Sequence, residues 1–488
     1  MNYKHYFISL FLSGALIAQE QPKSTQDTKS TQTPAEILAK SDQTTVATTP
    51  SNVALPSDTY FITASRSDRA PETLAANVTI IGPEKIAKSN ARNVAELVKY
   101  QAGVEFKNKS NTPNSHQIDV RGFGVVAAAN TLILIDGRRI NRPDMSSVDF
   151  SSIPVSRVEK IEIYRGGRSV LYGDNATGGV INIITKKQTK DSNKLTLNAE
   201  VGSYEYYRLG VSLDGFKNNL QYSFDTSYEE SDGYHDNSSY RIKSTGFSVT
   251  STEFEDLELH VSGGRTESHI NYPGARNGDR DSASYTDYIN DIRDTFIVFQ
   301  PTYWINDDTN VSFTSSYSEK EVDPSGADSF LQERYITRDF EISPKLTLIR
   351  DIKGVTNTSV IGLDHRFSKM TNYGPEKDKR STGVYIYNTS AFLDDSLFLD
   401  LGYRREKSRM NLNNGENYDD NDLDAFSAGL TYNYADQSKV FISYDRSFRT
   451  QRVDELGGAG FDELLDPQTS KTWQTGIKHR FTDRLSAE

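Results

Sequence analysis

The side chains of this chain that could do chemistry are many, but they do not assemble into a reactive set. It has 7 His, 67 Asp and Glu, and no Cys. The absence of Cys removes disulfides, thiol nucleophiles and cysteine-bound zinc. His116, His235, His260, His269, His365 and His479 lack the mutual spacing that puts two imidazoles on one metal ion. Serines are frequent, yet none sits in a nucleophile elbow. No catalytic residue and no metal ligand set is therefore assigned, and an enzyme is not expected. The formal net charge of −12 argues against nucleic acid as a partner, because such a partner needs a basic face.

The elements that must position any binding site are most legible at Val158–Lys187, which reads VEKIEIYRGGRSVLYGDNATGGVINIITKK. Two runs, Val158–Tyr164 and Gly179–Thr185, are rich in Ile and Val and suit a pleated, half-buried surface. The bend between them carries Gly166, Gly167, Gly173, Gly178 and Gly179, where positive φ and close backbone approach are accessible. Upstream, Ala75–Lys187 reads as a compact α+β domain. Val78–Ile81, Val104–Phe106, Ile118–Arg121 and Thr131–Ile135 are predicted strands, and Asp136–Gly137 is a turn signal. Pro83 opens a helical turn. A second helix, capped by Ser89 or Asn90, is expected to run through Tyr100, with Val94, Leu97 and Val98 on one face.

From Lys194 onward the pattern changes. Leu195, Leu197, Ala199 and Val201 alternate with polar residues, and Leu209–Leu213, Leu220–Phe224, Leu257–Val261 and Leu397–Tyr403 repeat this. Such runs, broken by polar turns for nearly the whole remaining chain, are the signature of an antiparallel transmembrane β-barrel. The composition agrees. Hydrophobic residues are only 35%, but aromatics reach 11% with 27 Tyr, whereas disordered chains are poor in aromatics. Asn271–Asp294 and Asn411–Leu423 are read as long polar connections on the outer side. At the other end, residues 1–18 form a secretory signal pattern with an apolar core from Tyr6 to Ala18. Residues 19–57, rich in Gln, Thr, Ser, Lys, Pro and Ala, read as a flexible linker.

The glycine-rich stretch resembles the end of the plug domain of TonB-dependent outer-membrane receptors, roughly I-E-V-x-R-G-P-x-S-x-L-Y-G-x-x-A-x-G-G-V-I-N-I-I-T. Ile161, Glu162, Arg165, Gly166, Ser169, Leu171, Tyr172, Gly173, Ala176, Gly178, Gly179 and the run Val180–Thr185, with Asn182, fall on it. Gly167 stands where the family usually has Pro. V-R-G-F at Val120–Phe123, with Arg121 and Gly122, and L-I-D-G at Leu134–Gly137, with Asp136 and Gly137, extend the likeness. The resemblance implies a Ton box at 58–66, a plug at 67–190 and a barrel at 191–488. Asp58, Thr59, Tyr60, Phe61, Ile62, Thr63 and Ala64 would be the extended segment that pairs with TonB. It implies the outer membrane as location, the TonB–ExbB–ExbD complex and outer-membrane lipid as partners, and energised uptake of a small-molecule metal chelate, with no resident cofactor.

About 14 alternating segments of ~9–11 residues are counted, against the roughly 22 strands of such transporters. The last residues also lack the usual terminal aromatic, and Leu465–Trp473 resembles a motif from well inside the family's barrel. A partial barrel, from a C-terminally truncated chain, is therefore expected. By the same resemblance the ligand is held where apical plug loops meet the outer loops. Those loops would be Lys107–His116 and Arg139–Asp149, carrying Lys107, Lys109, Asn114, His116, Arg139, Asn141 and Arg142. Converging cations favour an anionic iron complex such as a ferric siderophore or ferric citrate. Haem is an alternative, with His116 or His235 as axial ligand, although Ser447–Gln451 breaks the haem-receptor signature. Cobalamin is another. Its receptors share the D-T-x-x-x-T-A pattern of Asp58–Ala64, and Ser231–Asp236 could offer oxygen ligands to Ca²⁺. A porin, an adhesin or an inactive truncated product stand as readings of a different class.

Overall fold

The structure, a computed structural model, describes Arg66 and residues 69–108, 116–151, 153–187, 191–274, 285, 287–326, 333–372, 376–412, 416–455, 465–482 and 485–487. The Ton-box segment 58–64 and everything before it lie outside these, as do Lys109 and Asn114.

The first domain is built from β1 (Asn77–Ile81), β2 (Val104–Asn108), β3 (His116–Val120), β4 (Thr131–Ile135), β5 (Arg138–Arg139), β6 (Val158–Arg165) and β7 (Gly179–Thr185). Five strands form a sheet in the order β1-β6-β7-β4-β5, and β2 pairs with β3. All pairs are antiparallel except β4 with β7. Period-two alternation divides the sheet. Ile133, Ile161, Ile163, Ile181 and Ile183 turn into a core with Ile86, Val94, Leu97 and Val98. Leu132, Leu134, Tyr164 and Val180 turn the other way.

Four short helices complete the domain: α1 (Pro83–Ala87), α2 (Val94–Val98), α3 (Ala127–Asn130) and α4 (Ser169–Tyr172). The cap of α2 is Asn93, later than expected. Its side chain accepts the Glu96 N–H at 3.0 Å. The Glu96 carboxylate reaches back to the Arg92 N–H, also at 3.0 Å, one residue earlier than in a capping box. Ser89 instead accepts the Ala91 N–H, which holds a turn outside the helix.

The rest of the chain is a meander of β8 (Ser192–Val201), β9 (Tyr207–Lys217), β10 (Leu220–Ser231), β11 (Tyr240–Phe254), β12 (Leu257–Asn271), β13 (Ile289–Asn306), β14 (Thr309–Ser325), β15 (Tyr335–Ile352), β16 (Val355–Thr371), β17 (Lys377–Phe392), β18 (Leu397–Leu412), β19 (Glu416–Ala435), β20 (Ser438–Arg449), β21 (Gln468–Thr482) and a stub, β22 (Leu485–Ala487). Each pairs only with its chain neighbours, so β8 and β22 are the two edges among the described residues. Connections at one end are short, as at 218–219, 255–256, 307–308 and 353–354, and the longest, such as 232–239 and 272–288, are at the other end.

The alternation is inverted relative to a soluble sheet. On β17, Val384 and Ile386 are exposed while Lys379, Tyr385 and Tyr387 are buried. On β18, Leu401 and Tyr403 face out while Asp400, Arg404 and Glu406 are buried. Apolar outside and charged inside is the pattern of a wall between lipid and a polar lumen.

The expected polar connection at Asn411–Leu423 is largely strand. β18 and β19 pair through it, with Ser408 opposite Asn421 and Asn411 opposite Asn417. A strand that continues past the apolar band meets water on both faces, so polarity there does not mark a loop. The connection at Asn271–Asp294 is likewise shorter, because β12 runs to Asn271 and β13 starts at Ile289.

Candidate functional site at the plug and outer loops

The first domain sits inside the wall, and charged contacts on all sides hold it there. Arg157 pairs with Asp225 on β10 and donates to Ser248 on β11. Arg142 pairs with Asp294 on β13 and donates to Ser318 on β14 at 3.1 Å. Asp174 pairs with Lys379 on β17 at 2.9 Å. Arg121 donates to Gln474 on β21 at 2.7 Å. Lys439 of β20 donates to the carbonyls of Pro71 and Leu74 at 2.9 and 2.8 Å.

The stretch that enters this domain is pinned first. Arg66 donates to Asp364 on β16 at 2.9 Å and to the Tyr385 hydroxyl, while Lys345 donates to the Arg66 carbonyl at 2.9 Å. The Arg66 guanidinium lies 4.8 Å from the ring centres of both Tyr172 and Tyr385. Three residues later, Arg69 pairs with Asp400 at 2.6 Å.

At the long-loop end, the segment after β20 clamps the inner domain. Val453 N–H donates to the Pro143 carbonyl at 3.1 Å. Met145 N–H donates to both oxygens of Asp454, at 2.8 and 3.0 Å. Arg452, almost fully buried, donates to the carbonyls of Arg142, Asp144 and Ala128. Burial, with Asp144 nearby, pushes the Asp454 carboxyl up to about 6. Asp174 behaves in the opposite way. Burial opposes its charge, but Lys379 and the Thr450 hydroxyl hold it below the usual carboxylate range.

The rings around this mouth were not foreseen in the sequence. Tyr204, Tyr234 and His235 contact edge to face, and Tyr285 lies edge-on to Tyr288, which also meets Tyr272. Asn237 ties the two loops by donating to the Tyr272 carbonyl at 2.8 Å. Tyrosines spaced irregularly in polar loops carry no periodic signal, so only the fold gathers them.

The residues expected to meet ligand fall in different surroundings. Lys107 is half-buried on β2, 3.2 Å from Glu105. His116 is buried against Phe106, and burial pushes it down to about 4. A small cavity beside it is lined by Arg92, Arg208, Glu229 and Tyr240. Arg139 donates to the carbonyls of Tyr172 and Asp174, at 2.6 and 2.8 Å. Asn141 accepts the Ile133 N–H at 2.7 Å and donates to the Thr131 carbonyl at 2.8 Å. Arg142 holds the wall, as described. His235 belongs to the ring cluster at the mouth.

The motif residues explain themselves as architecture. Asp136 and Gly137 form the β4–β5 turn, and Asp136 accepts the Thr185 N–H at 2.9 Å. Arg165 donates to the Ala102 carbonyl and to Asn77 and Thr79. Buried Glu162 pairs with Lys160 at 2.9 Å, and Asn182 donates to it. Gly122 and Gly173 both have positive φ. A Cβ on Gly178 would lie 2.7 Å from the Val120 carbonyl oxygen, and one on Gly179 would overlap the Tyr164 carbonyl. Gly167, where the family pattern has Pro, faces Ser447 and Asp445 of β20 so closely that a Cβ would collide with Ser447.

Below the mouth, inner domain and wall leave a cavity of about 30 Å³, room for about two waters. It is lined by six cations, Arg139, Arg142, Arg366, Lys379, Arg404 and Arg452, against four carboxylates, Asp174, Glu341, Asp364 and Glu406. Charges of both signs interleave here, because Arg142 and Arg366 also reach Asp294 and Asp339 just behind the lining.

Comparison with known proteins follows the same lines. The profile described as TonB-dependent Receptor Plug Domain matches residues 70–180, and that of the TonB dependent receptor-like β-barrel matches residues 162–488. Vitamin B12 transporter BtuB of Vibrio cholerae is 35% identical over 161 residues, which is 33% of this chain and 26% of the transporter. The match thus spans about a quarter of that relative's length. BtuB of Photobacterium profundum is 34% identical over 158 residues, 32% of this chain and 25% of the relative. Among solved structures, the siderophore receptor PiuA from Acinetobacter baumannii aligns with a TM-score of 0.71 at 16% identity, over 85% of this chain and 71% of that one. The ferric citrate transporter FecA, unliganded, gives 0.70 at 15% identity, over 84% of this chain and 68% of that one. These structural likenesses are of fold.

Proposed function

Because this chain belongs to the TonB-dependent receptor family, whose members are plugged outer-membrane β-barrels with receptor and transport roles rather than enzymes, we propose that it captures a metal chelate at its outer mouth and passes it inward when TonB pulls on residues 58–64. The observation that carries this is the docking of the plug against the inner face of the wall. Ion pairs hold the plug to five strands of the wall, β10, β13, β16, β17 and β18. These pairs separate together if the plug moves as a unit, so an external pull on the leading segment is a natural way to release them. An open pore would have no use for such a plug.

For the cargo we favour an anionic iron complex of the ferric siderophore or ferric citrate type. The supporting feature is the set of six cations on the inner path, Arg139, Arg142, Arg366, Lys379, Arg404 and Arg452, whose donors could exchange protein carboxylates for the anionic groups of a chelate. Cobalamin is the second reading, favoured by the 35% identity to vitamin B12 transporters. Two measurements on the full-length receptor test this. Ile62→Pro removes a backbone donor from the TonB-pairing segment; it should abolish energised uptake and leave surface binding intact, and unchanged uptake would refute the mechanism. A binding panel of ferric citrate, a ferric catecholate, haem and cobalamin with and without Ca²⁺ then decides the cargo. Tight cobalamin binding without binding of either iron chelate would overturn the first choice.

A further inference from the structure

The outer face of the wall has a defect. β15 and β16 pair at Ile342 with His365 and again at Lys345 with Gly362, but the two rungs between, at Ser343 and Pro344, are missing. Pro344 has no N–H to give, and a proline inside a sheet is found at such irregularities. Beside the gap lies a surface groove of about 560 Å³. Its lining is almost wholly apolar, from Val311, Pro344, Leu346, Ile361, Leu363 and Val384.

We propose that this groove binds one fatty acyl chain of a membrane lipid. It opens on the face that carries the exposed apolar band, where Ile361, Leu363, Val384, Ile386 and Tyr403 all point outward. It lies at mid-height: Leu363 and Val384 are eight residues from the ends of their strands at Val355 and Phe392, which meet the short turns. At ~3.3 Å per residue, tilted, that is the depth of hydrocarbon rather than of headgroups. An open apolar groove at that depth fits a flexible hydrocarbon tail. The same gap backs onto the first anchor of the plug. Asp364, Lys345 and Tyr385, which hold Arg66 on the inner side, belong to the rungs around it. A chain seated outside therefore buttresses the wall where that anchor pulls.

The test uses full-length receptor extracted from its membrane and washed into lipid-free micelles, then native mass spectrometry. Wild type should retain one lipid per chain. Val384→Trp, which fills the groove from outside, should lower that occupancy roughly tenfold. Leu430→Trp, outward on β19, should retain it. Equal occupancy in wild type and Val384→Trp overturns the proposal, as does a groove that carries only detergent or a second copy of the protein. Should Val384→Trp fail to insert, Leu363→Trp reconstituted with acyl-brominated lipid supplies the second measurement. Its indole should be quenched more strongly than that of Leu430→Trp, and equal quenching refutes the site.

Discussion

Arg66→Ala removes the first contact that ties the plug's leading segment to the wall. In the native protein its guanidinium donates to Asp364 at 2.9 Å and lies 4.8 Å from two tyrosine rings. A hydrogen bond to a charged group contributes about 1.5–3 kcal/mol, and a desolvated cation–π contact about 2 kcal/mol. Deleting one partner of a buried pair costs about 3–5 kcal/mol when the other is stranded. Asp364 is not stranded, because Arg404 lies 2.6 Å from its other oxygen. The hydrogen-bond and cation–π contributions therefore set the scale, about 3 kcal/mol, which is roughly a hundredfold shift from docked toward released. The chain has no Cys, so Ser57→Cys creates one spin-labelling site just ahead of the anchored stretch. Label mobility should rise in Arg66→Ala and stay unchanged in Arg265→Ala, whose ion pair with Glu267 is exposed. Asp364→Asn should release the segment further, since it leaves Arg66 and Arg404 facing a neutral group. Equal mobility in wild type and Arg66→Ala would refute the anchor.

Asp174→Asn should lower the melting stability by about 3 kcal/mol, because Lys379 is buried beside it. The Asp174 carboxyl is held below its ordinary value, so its contribution is present above about pH 4 and fades as pH falls through the depressed folded value; a melt series toward acid, flat in Asp174→Asn, checks this. Asp454 has the opposite sign. Its folded value of about 6 lies above the unfolded one, so the clamp on Met145 gains stability as pH falls from 7 toward 5. Hydrogen exchange at the Met145 amide, corrected for intrinsic rate, should slow at pH 5, and this dependence should vanish in Asp454→Asn. Gly179→Val places a branched side chain where even a Cβ overlaps the Tyr164 carbonyl; the plug should fail to dock, seen as protease cleavage within 70–187 in variant but not wild type.

Much of the architecture was legible in the chain itself. The α+β order of the plug, its glycine bend and the long β meander follow from local patterns: Ile and Val at period two, turn residues between, and polar residues on the face away from lipid. The places where that reading slipped are places where local signals compete. At α2, Ser89, Asn90 and Asn93 are all good caps, and the reach of Glu96 back to Arg92 decides among them. At Asn411–Leu423, polar residues mark strands that outrun the membrane rather than a loop.

The roles of charged residues were decided only by the tertiary structure. Arg139, Asn141 and Arg142 read alike in sequence, as polar residues of one apical loop. In the fold, Asn141 closes the plug's own backbone, Arg139 braces α4, and Arg142 holds the wall on β13. The sequence determined the faces of each strand, because the side-chain period is fixed by the backbone. It could not determine which face meets which across the lumen. Arg66 and Asp364 are 298 residues apart, and only the wrapping of the wall around the plug brings their opposite charges together, out of water.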